Sequence, residues 1–211
     1  MRRLLGFCGL LTLVACWCGP LPELARSAFF AHMTMHMGVV AVAAPLLSLA
    51  IAGGRFDPVQ KAPALFSPIP ASVLELLVVW AWHAPALHHA ARHSAVGLVA
   101  EQGMFLLCGL LVWLSAFGGE LPRSAARSAA GVIGLLLTSM HMTLLGALLV
   151  FAPRPLYDHA HELSSLTPLA DQHLGGAIML LVGGISYLAG GLWLTMGLLR
   201  GQVIESKARA S

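Results

Sequence analysis

Within six consecutive positions, His32-Met33-Thr34-Met35-His36-Met37, the chain places two imidazoles and three thioethers. Those are the donors of a soft-metal site. Methionine sulfur favours Cu(I), imidazole accepts Cu(I) or Cu(II), and a hard cation would call for carboxylates. His32 and His36 are four apart and share one helix face, with Met33 and Met37 in a parallel stripe beside them. His83 lies in Trp80-Ala81-Trp82-His83-Ala84-Pro85. Pro85 has no N–H for the carbonyl of Ala81, which predicts a kink with room beside the histidine. Met140-His141-Met142 fans three donors over a wide arc, so His141 and one methionine, with Met140 as the candidate, face inward. Asp171-Gln172-His173 opens the last apolar run, and Asp171 is a candidate acceptor for an imidazole N–H. The candidate metal set is therefore His32, His36, His83, His141, Met33, Met37, Met140, Asp171 and His173, with Glu101 as a supporting or proton-linked carboxylate.

These residues sit in a chain fit for hydrocarbon. Of 211 residues, 58% are hydrophobic and 10% charged, against roughly 25% charged in soluble domains. Several apolar runs approach the length of about twenty residues that a helix needs to cross a bilayer, and only helices satisfy their own backbone there. The reading is an all-α, polytopic transmembrane bundle forming one domain over residues 1–211, with six spans at roughly 4–19, 28–52, 71–91, 96–118, 129–151 and 174–199. The first run, ending Leu13-Val14-Ala15-Cys16, also resembles a lipoprotein cleavage site and reads alternatively as a signal segment. With both termini cytoplasmic, nine Lys and Arg fall inside (Arg2, Arg3, Arg55, Lys61, Arg123, Arg127, Arg200, Lys207, Arg209). Only Arg26, Arg92 and Arg154 fall outside, as the positive-inside rule requires. The formal charge of +3 belongs to this topology and gives no nucleic-acid footprint.

On that topology all ten histidines lie on the outer side. At about 1.5 Å per residue, His32, His36, His83 and His141 sit about 6 to 15 Å below the outer boundary. His88, His89, His93, His159 and His161 read as solvated residues at the mouth or in outer loops. Any one histidine has a plain structural reading, and a methionine in a span usually packs. The conjunction of one side, one depth and three helices makes the functional reading stronger. Cys8, Cys16, Cys18 and Cys108 form no C-x-x-C pair and read as buried small hydrophobes, with soft metal ligation near a membrane face as the alternative for Cys16 and Cys18. Glu75 reads as a helix-start residue or a bundle hydrogen bond. There is no nucleophile–base pair and no phosphate loop, so an enzyme is not expected. Two rivals to a copper site remain. One is a b-type haem held by facing histidines such as His36 and His141. The other is a copper or proton transporter, which would need polar residues continuing to the cytoplasmic side.

The sequence resembles the CtaG-like cytochrome c oxidase assembly proteins, which are polytopic bacterial membrane proteins. The resemblance rests on HMTMHM with Pro45-Leu46-Leu47 following, on WHAPAL, and on Glu101 with LLVW further along the same span. Pro155-Leu156-Tyr157 and DQHLGG complete it, in order, over roughly residues 28 to 200. Gln102 departs from the pattern, standing where a histidine often follows the glutamate. The resemblance implies roles for His32, His36, His83, Asp171 and Glu101. It also implies a bacterial inner-membrane location and a part in building the copper centre of a haem-copper oxidase. The expected partners are an oxidase subunit, periplasmic copper carriers and the lipid bilayer, and the expected cargo is copper, as Cu(I).

Overall fold

The computed structural model describes residues 1–119, 124–157 and 166–210, the last nine by backbone alone. His159 and His161 lie outside the described residues. Regular structure among the described residues is helical throughout. Helix α1 is Arg2–Cys18, α2 Leu21–Ser27, α3 Phe29–Ile51, α4 Pro58–Lys61 and α5 Pro68–His83. Then come α6 Pro85–His93, α7 Ala95–Phe117, α8 Ala125–Val150 and α9, which is long and apolar over Pro168–Gly201. Helices α3, α7, α8 and α9 are each long and apolar enough to cross a membrane, and up to six crossings result if each bent pair is one span.

Two of the six expected spans fall in bent helix pairs. The first apolar run stops at Cys18, and Gly19-Pro20 turn the chain 48° into α2. The third breaks at Ala84, and α6 leaves α5 at 71°. Pro85 is the cause, since it occupies the first turn of α6 and cannot continue the hydrogen bonding of α5.

Helix α3 carries the His-Met segment and widens into a π-helical turn, Gly38–Ala43, directly below it. Pro45 explains the local chemistry. Its missing N–H would have served the carbonyl of Ala41 in an α-turn or Val40 in a π-turn. Other helices satisfy both carbonyls: Trp113 Nε1 donates to Val40 O at 3.1 Å, and Ser186 Oγ donates to Ala41 O at 2.6 Å. The widened turn is thus tied to α7 and α9.

Aspartates fasten the two ends of the bundle. Asp57 accepts from the N–H groups of Gly53 (2.6 Å), Val59 (2.9 Å) and Gly119 (2.7 Å), joining the ends of α3 and α7. Arg2 donates to Ala52 O at 2.6 Å on the same end. At the other end Asp171 of α9 holds the start of α3. Small residues let the helices close up. A Cβ on Gly176 would come within 2.8 Å of the Gly146 carbonyl oxygen, and one on Gly190 within 2.7 Å of the Trp113 ring. Gly184 and Gly191, by contrast, face open space.

Candidate metal centre

The imidazoles come together at the end of the bundle fastened by Asp171. His32 and His36, one turn apart on α3, point at α5 and α7 and are fully buried with rings nearly parallel, centroids 6.3 Å apart. His83, the last residue of α5, stands 5.4 Å from His32 and 5.2 Å from His36. With metal–nitrogen bonds of about 2 Å, imidazoles sharing one ion have ring centroids roughly 5–6 Å apart. The two His83 distances fall in that range and the His32–His36 distance exceeds it, while among the described residues the group whose ligand atoms all lie within 4.8 Å of one another is His32, His88 and Glu101. Phe105 of α7 closes one side, 4.1 Å from the His36 ring. His141 of α8 is buried and close enough to His36 to interact with it electrostatically.

Hydrogen bonding leaves this cluster incomplete. Among the described residues, neither ring nitrogen of His32, His36 or His141 has a hydrogen-bond partner, nor does Nε2 of His83. Buried polar groups are nearly always paired, so an orphaned set of this kind needs an explanation. His83 Nδ1 donates to the carbonyl of Val79 at 2.6 Å. A carbonyl only accepts, so Nδ1 carries the proton and Nε2 is left with its lone pair. That is the tautomer and orienting bond typical of a metal-ligating histidine.

Two residues cover the outer side. Phe29 stacks on Tyr157 at 4.4 Å, and the Tyr157 hydroxyl donates to the His83 carbonyl at 2.7 Å. Burial pushes the Tyr157 phenol above its ordinary range, so it stays a donor through the neutral range.

The expected site residues fall into three groups. His32, His36, His83 and His141 are brought together. Glu101 joins them: it is buried, with Oε2 3.7 Å from His32 Nδ1, hydrogen-bonded by Arg92, and 3.2 Å from Gln102 Nε2. Gln102 in turn accepts from Trp17 Nε1 at 3.3 Å, a bridging role that needs an amide's donor and acceptor together. Met33 and Met37 are buried against α9, where a Cβ on Gly175 would meet Met33 Cγ at 3.0 Å and one on Gly183 would meet Met37 Sδ at 3.6 Å.

Others stand elsewhere. Met140 is 67% exposed on the outer face of α8, and the inward methionine is the fully buried Met142. The helix register turns Met140 outward, contrary to its expected inward position. Among the described residues Asp171 orients no imidazole: its Oδ2 accepts from Phe29 N–H at 2.7 Å and its Oδ1 from Phe30 N–H at 2.8 Å. His173 is half-buried, with Nε2 3.1 Å from the Ala152 carbonyl oxygen. Glu75 is not a helix-start residue but lies two turns into α5, where Tyr187 donates to it at 3.2 Å.

Sequence reasoning missed His88 and Arg92. His88 is buried, its ring 4.7 Å from His32, whereas His89 and His93 are exposed as expected. The signal was the Pro85 bend together with an amphipathic α6, which puts His88 and Arg92 on one inward face at i and i+4.

The fold and this cluster define a class: a polytopic helical membrane protein with a buried imidazole centre near one face. The chain belongs to the cytochrome c oxidase caa3 assembly factor family, Caa3_CtaG, which matches residues 1–201. No curated protein and no solved structure is similar enough to the chain to match it.

Proposed function

We propose that this oxidase assembly factor holds copper at the outer, periplasmic face of the bacterial inner membrane and hands it to a haem-copper oxidase subunit during assembly. It acts as a carrier without catalytic turnover. The observation that supports the reading is the buried set of imidazole nitrogens on His32, His36, His83 and His141 that lack hydrogen-bond partners among the described residues. Imidazole is a ligand for both oxidation states of copper, and a neutral imidazole set can receive and release the ion without a change in its own charge. Met33 and Met37 pack toward α9, so the proposal rests on imidazole donors and not on thioethers.

The test is metal analysis of protein purified in detergent from copper-supplemented cells, alongside alanine variants. Copper should be retained by the wild type and by His89→Ala and His93→Ala. It should be largely lost in His32→Ala, His36→Ala and His83→Ala. A Soret band in place of copper would overturn the reading in favour of haem.

A further inference from the structure

Beside the three-imidazole cluster lies a second donor set. Candidate ligand atoms of His32, His88 and Glu101 all lie within 4.8 Å of one another, and all three residues are buried. Glu101 Oε1 has no hydrogen-bond partner among the described residues. Its other oxygen already holds a cation, the guanidinium of Arg92, itself buried and within 3.5 Å of the Ala25 carbonyl oxygen.

One buried carboxylate balances one positive charge. A second, uncompensated cation this deep in a membrane protein is strongly disfavoured. A metal ion and the Arg92 guanidinium are therefore alternatives at Glu101. A monovalent ion replaces a monovalent guanidinium charge for charge, which fits Cu(I).

We infer that Arg92 is a built-in competitor of the metal: Cu(I) enters across His32, His88 and Glu101 as the guanidinium withdraws, and leaves as it returns. This rests on the copper reading above. The two imidazoles supply the bonds and Glu101 supplies the compensating charge, and no proton or electron changes hands. Arg92 stands in the last turn of α6 with a long apolar stem that lets its head group move to the interface. His88 lies one turn earlier on the same helix, so motion of α6 about the Pro85 bend moves ligand and competitor together. The arrangement gives a carrier a means of release that a closed imidazole cage lacks.

The experiment is a Cu(I) affinity measurement on the purified full chain, by competition with a chromogenic Cu(I) chelator. Arg92→Gln should bind Cu(I) about tenfold or more tighter, since a charge-assisted hydrogen bond no longer opposes the ion. Arg92→Lys keeps the charge that Glu101 needs for folding but loses the guanidinium's simultaneous reach to Glu101 and the Ala25 carbonyl, and should bind severalfold tighter. Arg92→Gln/Glu101→Gln and Arg92→Gln/His88→Ala should lose the gain. Where circular dichroism shows Arg92→Gln misfolded, Arg92→Lys decides. Wild-type affinity in every folded Arg92 variant would overturn the inference alone. A wild type that binds no copper would instead overturn the function proposed above.

Discussion

Asp171 does for α3 what Ala28, the residue at its N-cap, has no side chain to do: it accepts two of the N–H groups that every helix start leaves unpaired. Because Phe29 and Phe30 lead directly into His32, the carboxylate sets the position of the metal cluster from a different helix. Asp171→Ala should cost about 3–6 kcal/mol, the scale of two hydrogen bonds to a charged group, read as a lowered melting temperature in detergent. Asp171→Asn, which keeps one acceptor, should fall between. Copper retention should fall in the same order, and an Asp171→Ala protein with wild-type melting would refute the capping role. Tyr157 is a milder case. Tyr157→Phe keeps the stack on Phe29 but loses the bond to His83, so stability should fall by about 1 kcal/mol while copper exchange with an external chelator speeds up.

Helices were the legible layer of the sequence. Four of the six expected spans correspond to continuous helices, because a run of about twenty apolar residues with no water to serve its backbone has one solution. The other two are bent pairs. Pro85 announced its own kink, but a proline states where a helix breaks and not where the next one goes. The destination of α6 depends on Arg92 finding Glu101 on the next helix and on His88 fitting between Phe29 and Tyr157, the latter two contacts across long sequence separations. For the same reason His32, His36 and His83 were readable from depth and spacing, while the sides taken by Met140 and Met142 were not. The glycines of α9 show that limit too: Gly175, Gly176 and Gly190 pack closely, yet Gly184 and Gly191 do not. Gly176→Val should therefore overpack the α8–α9 contact and destabilise the bundle by about 1–3 kcal/mol in a thermal melt, with Gly191→Val near wild type.

Taken whole, the molecule has a basic end and a histidine end. Arg2, Arg55 and Lys61 lie with Asp57 at one, and the imidazoles with Asp171 at the other. Arg92 is buried against Glu101, so one of the three cations expected on the outer side belongs to the interior. Reporter fusions should place the loop around residue 57 in the cytoplasm and residue 155 outside. The reverse result would put the cluster on the wrong face for periplasmic delivery. In a cell lacking the protein, the oxidase polypeptides and their haem should still assemble, but with a copper-deficient centre. Added copper should partly restore activity by mass action, and normal copper beside lost haem would sink the donor role. The Tyr157 cover also sets a clock. Parting its hydrogen bond to His83 and its stack on Phe29 costs on the order of 2 kcal/mol or more, so the mouth stands open for at most a few per cent of the time. Loop openings of this kind recur on the nanosecond-to-microsecond scale. On the copper reading proposed above, passage through the mouth is then quick beside the slower rearrangements of packed helices, and the residence of the ion is set by the α6 movement inferred there.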